Sequence, residues 1–271
     1  MVIMSGMGNP LIGEALVGTA VKSLDEQYFH IFTIIALHLV TRYTSWIDCF
    51  GRLFVKLDLI VFDLDGTLVD SIPDIADIYN SRLRMEGYPE HPVENYRGYV
   101  GWGLEKALKL VLPEGVSDGE VQRILTEIAD EYAKRPAKLS LVYPGILELL
   151  KYLGSVSVPM IVFTNKPEAL AQSVVEELFP HGIFDEVLGY TPRFPHKPDP
   201  SALNEYILGK NYPLSSILMA GDTPVDLETA RNAAVSFAGA SWGFRSEEVL
   251  KEAGSDLNFP RPADLHHWLM K

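Results

Sequence analysis

The sequence predicts an α/β fold: a parallel sheet covered by helices and interrupted once by an all-helical insert. Three observations predict it. Short, nearly continuous apolar runs recur, as strands buried on both faces require. Helix-spaced apolar patterns alternate with those runs, which implies parallel strands joined by crossover helices. The stretch from Asp70 to Leu141 carries helical patterns and no convincing strand.

The first strand is read at Leu57–Phe62, followed by runs at Val158–Phe163 (broken by Pro159), Glu186–Gly189, Ile217–Ala220 and, more weakly, Ser236–Ala240. Ile146, Leu149, Leu150 and Leu153 fall on one helical face after Pro144. Pro167, Asp199-Pro200 and Thr223-Pro224 open three further helices. In the insert, Ile72, Ile75, Ala76, Tyr79 and Leu83 form one apolar face. Leu104, Ala107, Leu108 and Val111 form a second, and Val121, Ile124, Leu125, Ile128 and Tyr132 a third behind a capping box, Ser117-x-x-Glu120. The insert leaves the carboxyl end of the first strand, where open parallel sheets bind ligands, and is placed to cover that site.

The chain has 271 residues, 23 Lys+Arg, 36 Asp+Glu and one cysteine, for a net charge of −13. The length supports a sizeable core. One cysteine excludes an intramolecular disulfide framework and a cysteine-based zinc site, and suits a reducing, cytoplasmic compartment. The acidic balance argues against nucleic-acid binding but leaves phosphorylated substrates open, because a divalent cation reverses the local sign.

Residues 1–56 hold four acids and four bases, so the whole −13 belongs to the remainder. They contain an apolar run, Tyr28–Val40, that is shorter than a spanning helix and a poor secretory signal. Three readings stand: a buried or interfacial helix, a membrane anchor (not the expectation), or a segment outside the native product, with Val55 an alternative start.

The first strand ends Phe62-Asp63-Leu64-Asp65-Gly66-Thr67-Leu68. Period-two geometry sets Asp63 and Asp65 side by side, an arrangement suited to a cation or a shared proton; an Asx turn ending a strand is the plainer reading. The second ends Thr164-Asn165-Lys166-Pro167, a phosphate cradle or simply a helix cap. Lys197 sits between His196 and Pro198, its ammonium suited to neutralising a carboxylate and a phosphoryl oxygen, or just solvated. The fourth ends Gly221-Asp222-Thr223-Pro224-Val225-Asp226, where Asp222 suits a metal and Thr223-x-x-Asp226 suits a reciprocal cap.

Together, DLDGTLVDS, TNKP, KPDP and GDTPVD resemble the haloacid dehalogenase-like superfamily, nearest its phosphoglycolate phosphatase-like members with a helical cap. The resemblance covers 57–271. It implies a Rossmann-like core at 57–69 and 142–271, a helical cap at 70–141 and an N-terminal extension at 1–56. It implies a phosphatase with Mg²⁺ as cofactor, acting on a small phosphorylated metabolite through an aspartyl-phosphate. Asp63 would be the nucleophile and Asp65 the general acid and base. Lys197 would hold the nucleophile and the phosphoryl charge, and Thr164 and Asn165 the phosphoryl oxygens. Asp222 would bind the metal with Asp63 and the Asp65 carbonyl, supported by Asp226.

Within the superfamily that the chain resembles, the dehalogenases and the phosphonate-cleaving branch lack an acid at the position of Asp65, so the resemblance implies phosphoryl transfer rather than either of those reactions. In resembling proteins the glycine-rich loop around Arg97 and Gly101 faces the site, so both are candidate substrate contacts; the plain alternative is a connecting loop with Trp102 packed inside. Ala233-Ala234-Val235 stands where the family often has Ala-Ala-Gly, and Trp242–Arg245 receives no role. Pyrophosphatase, nucleotidase or sugar-phosphate mutase activity, and a non-catalytic binding module, are the alternatives.

Overall fold

The computed structural model describes residues 57–271. The readings made on 1–56, the apolar run included, lie outside the described residues. Among the described residues, no helix is long and apolar enough to cross a membrane.

Among the described residues, six parallel strands form the main sheet. β1 (Leu59–Phe62), β4 (Met160–Pro167), β5 (Glu186–Tyr190), β6 (Ile217–Gly221), β7 (Ser236–Ala240) and β8 (Asn258–Phe259) are ordered β5-β4-β1-β6-β7-β8. Every residue of β1 is buried, and it pairs with β4 through Ile60–Phe62 and with β6 through Leu59–Phe62. Alternation along β1 divides its side chains between two cores. Ile60 and Phe62 pack with Leu149, Leu150 and Val174, while Leu59 and Val61 pack with Leu203, Ile207 and Ala230.

The covering helices are α5 (Ile146–Ser155), α6 (Glu168–Leu178), α7 (Ser201–Lys210), α8 (Pro224–Asn232), α9 (Glu247–Glu252) and α10 (Pro262–Leu269). Helices follow Pro144, Pro167, Pro200 and Thr223-Pro224, as the sequence predicts. β8 was not predicted; at two residues it is too short to show a period.

Between β1 and α5 lie α1 (Ile72–Met85), α2 (Tyr96–Tyr99), α3 (Leu104–Val111) and α4 (Asp118–Lys134). The faces predicted for them meet in a separate core of Ile75, Tyr79, Leu108, Ile124, Ile128 and Tyr132, which also takes in Leu170 of α6 and Phe244. The insert is bounded by a two-stranded antiparallel ribbon, β2 (Val69–Asp70) with β3 (Leu141–Val142). Only half of the expected Ser117 box forms. Ser117 Oγ accepts the Glu120 N–H at 3.3 Å, but the Glu120 carboxylate is turned away to accept the Tyr88 hydroxyl at 2.8 Å.

Candidate active site

The carboxyl ends of β1, β4 and β6 and the loop before α7 converge on one cavity between the sheet and the insert, lined by Asp63, Asp65, Thr164, Lys166, Lys197 and Asp226 among others. β1 stops at Phe62, so the period-two pairing of the two aspartates is not how they are set. Asp63 extends the strand by donating its N–H to Ala220 O at 2.9 Å. The chain then turns: Gly66, at φ +99°, donates to Val69 O at 2.8 Å, and a Cβ at Gly66 would overlap the Asp222 carboxylate. The turn sends the two carboxylates to different lysines.

Lys197 Nζ, buried, donates to Asp63 Oδ1 at 2.6 Å, to Asp226 Oδ1 at 2.6 Å and to Phe163 O at 3.0 Å, which uses all three ammonium protons. Its backbone is held by Asn165, whose Oδ1 accepts the Lys197 N–H at 2.7 Å and whose Nδ2 donates to Lys197 O at 3.2 Å. The same amide donates to Gly101 O of the insert at 2.9 Å, so Asn165 spends its side chain on backbone. Thr164 Oγ1 accepts the Lys166 N–H at 3.2 Å and lines the cavity. Asp226 Oδ2 accepts the Thr223 N–H at 3.0 Å and hydroxyl at 2.6 Å, capping α8 while its other oxygen holds Lys197.

Asp222 is fully buried; its Oδ1 accepts the Thr67 hydroxyl at 3.2 Å and its Oδ2 the Phe244 N–H at 2.8 Å. Among the described residues it has no ion-pair partner. Asp63, Asp222 and Asp226 offer carboxylate oxygens within 4.8 Å of one another. Three buried carboxylates thus cluster where the Lys197 ammonium pairs with two of them, and the excess of two negative charges fits a divalent cation. Burial, reinforced by Asp226, pushes Asp63 up to about 7 against the pull of Lys197. Burial and then Asp63 raise Asp222 well above the carboxylate range. Burial opposes the Lys197 charge, but Asp226 and Asp63 outweigh it and hold its pKa up.

The haloacid dehalogenase-like hydrolase pattern matches residues 60–240. A phosphoglycolate phosphatase of Pseudomonas syringae pv. tomato is 33% identical over 199 residues, covering 72% of this chain and 73% of that protein. One of Vibrio parahaemolyticus is 32% identical over 210 residues, 74% of this chain and 91% of that protein. A crystal structure from Lactobacillus delbrueckii subsp. bulgaricus superposes with a TM-score of 0.73 at 29% identity, covering 79% of this chain and 98% of that one. The chain belongs to the haloacid dehalogenase-like hydrolases. It is an enzyme, a phosphatase of that family.

Within this haloacid dehalogenase-like enzyme the insert residues divide. Gly101, at φ +118°, lines the cavity. Arg97 is not among the lining residues: it donates to Gly243 O at 3.4 Å, stands 3.8 Å from Asp70 and lies 5.8 Å over the Phe244 ring. Trp102 is not packed inside; it is 39% exposed, with the Lys106 ammonium 3.7 Å from its ring centroid. His196 stacks on Tyr190 at 3.7 Å, and burial lowers its pKa.

Two contributors escape the sequence reading. Trp242–Arg245 supplies the Phe244 N–H to Asp222, the Trp242 indole N–H to Thr67 O at 2.9 Å, and the Arg245 guanidinium to the insert carbonyls of Arg97, Gly98 and Val100. Lys166 is buried and donates to both Asp65 oxygens, at 3.1 and 3.0 Å. The available signal was a second lysine inside a motif otherwise explained by helix capping.

Proposed function

We propose that this phosphatase is Mg²⁺-dependent and hydrolyses a small phosphomonoester, phosphoglycolate foremost, through an aspartyl-phosphate on Asp63. The observation that carries this reading is the division of labour between the two aspartates: Lys197 holds one oxygen of Asp63 at 2.6 Å, while Lys166 holds Asp65 separately. Two carboxylates two residues apart thereby have different partners and suit different tasks. The names of the curated relatives support the substrate.

Asp63 attacks phosphorus through its carboxylate, forming the new P–O bond as the ester P–O bond breaks. Asp65 gives its proton to the departing oxygen, then takes one from the water that cleaves the acyl phosphate and releases phosphate. Lys197 fixes the attacking carboxylate and faces the phosphoryl charge, and the Thr164 hydroxyl donates to a phosphoryl oxygen. Asp63, Asp222 and the Asp65 carbonyl would hold Mg²⁺, with Asp226 steadying the set through Lys197. When bound, the ion neutralises the phosphoryl oxygens. The insert acts as a cap that excludes water and shapes the leaving-group end. The single cysteine supports a cytoplasmic location.

A release assay for phosphate with Mg²⁺ tests the reading on phosphoglycolate, pyrophosphate, nucleoside monophosphates and sugar phosphates. Phosphoglycolate is expected to give the highest kcat/KM, with turnover lost in Asp63→Asn. Turnover of pyrophosphate or nucleotides alone would replace the substrate, and activity undiminished in Asp63→Asn would end the mechanism.

A further inference from the structure

Lys166 is buried beside the reacting centre. Two of its three ammonium protons go to Asp65, at 3.1 and 3.0 Å, leaving one donor uncommitted by hydrogen bonds; the Tyr132 ring of α4 lies 4.8 Å away. The other lysine lining the cavity, Lys197, has no donor left. Arg97 and Arg245 are turned to backbone carbonyls and do not line it. On the insert side the wall is Ile75, Val100, Leu104, Ala107 and Tyr79, and the Tyr79 hydroxyl is committed to Leu104 O at 3.0 Å. Among the described residues, Lys166 is the one cation lining the cavity that retains a proton to offer a substrate.

We infer that Lys166 is a specificity-determining residue, receiving a carboxylate attached directly to the ester carbon of the leaving group. The inference rests on the phosphatase reading above. A general acid at Asp65 works within about 3 Å of the ester oxygen, so Lys166 Nζ falls within about 6 Å of that oxygen. A carboxylate attached to the ester carbon reaches about 3 Å from the ester oxygen, within hydrogen-bond range of Lys166. The fold already builds such an arrangement once, with the Lys197 ammonium between two carboxylates, Asp63 and Asp226. A longer leaving group meets the apolar wall of the insert instead. Recognition therefore falls on short 2-phosphooxy carboxylates.

The test compares kcat/KM for phosphoglycolate with that for 2-hydroxyethyl phosphate, which has the same length and no carboxylate, with p-nitrophenyl phosphate reporting the chemistry. The wild-type enzyme is expected to prefer phosphoglycolate by about 10- to 150-fold, the worth of one charge-assisted hydrogen bond. Lys166→Met is expected to bring that ratio close to one. A role confined to holding Asp65 would lower both substrates together and leave the ratio intact. That result, or a wild-type ratio near one with p-nitrophenyl phosphate still hydrolysed, overturns the inference and spares the phosphatase reading. No turnover of any of the three overturns both. Should Lys166→Met not fold, Lys166→Gln decides by the same ratio.

Discussion

The Lys197 ammonium stands 2.6 Å from Asp63 Oδ1 across 134 residues of chain, with no room for water between them. The same nitrogen reaches Asp226 at an equal distance, so one side chain ties the end of β1 to the first turn of α8. Lys197→Met leaves two buried carboxylates unpaired. The expected cost is about 3–5 kcal/mol of stability, read by denaturant unfolding without metal. In Mg²⁺, kcat is expected to fall by on the order of 10³-fold, because the nucleophile loses its fixed position and the phosphoryl group its counter-charge.

Asp65→Asn separates proton transfer from attack. Phosphoglycolate releases a poorly stabilised alkoxide unless it is protonated, so its turnover is expected to fall by about 10²- to 10⁴-fold. p-Nitrophenolate leaves without a proton, so its release is expected to fall far less. Acid-quenched Asp65→Asn with radiolabelled substrate is expected to show more labelled protein than wild type, since breakdown of the acyl phosphate also needs the base. Equal slowing of both substrates would remove Asp65 from proton transfer.

On the proposed Mg²⁺ site, metal binding and pH would be linked through Asp63 and Asp222. Asp63 moves from an ordinary 3.8 to about 7 in the folded protein, chiefly by burial, and Asp222 moves in the same direction. A group that holds its proton more tightly when folded favours the fold less as pH rises from its unfolded to its folded pKa. The metal-free protein therefore loses this contribution between about pH 4 and pH 7. Mg²⁺ competes with those protons, so its Tm increment is expected to be small at about pH 5 and large at about pH 8. An increment independent of pH would place the ion elsewhere.

Arg245 joins the loop after β7 to the insert through the carbonyls of Arg97, Gly98 and Val100. Arg245→Ala removes these charge-assisted bonds at a partly exposed site, worth about 1–2 kcal/mol together. The expected outcome is faster hydrogen exchange at Gly101 and Gly103 and a KM for phosphoglycolate raised by roughly tenfold, with kcat changed less. Unchanged exchange at those glycines would show that other contacts seat the loop.

The sheet and the insert were legible because their signals are local. Leu59–Phe62 reads as a strand from its own residues, and prolines mark where the following helices begin. The site was legible as a set of strand ends, since topology alone brings Asp63, Thr164 and Asp222 to one edge. What stayed hidden depends on partners distant in the chain. Lys166 meets Asp65 across 101 residues, and no spacing rule announces that pair. Arg97 has the composition of a substrate contact, yet Gly243 and Asp70 claim it. Asp63 and Asp65 looked parallel on a strand that ends one residue too early, because Gly66 turns the chain toward Asp222. Trp242–Arg245 showed no pattern of its own; its backbone is what braces Asp222.

The ribbon that bounds the insert brings Val69 opposite Val142 and Asp70 opposite Leu141, so the insert departs and returns at neighbouring points. A segment attached this way behaves as a cassette. Exchange at the ribbon would leave the main sheet and its strand ends unbroken, since the two sheets share no strand. Apart from Gly101, every acid, lysine, threonine and amide assigned to the chemistry lies outside the segment. The ribbon is thus a seam in the chain between the wall of the cavity and the reacting centre.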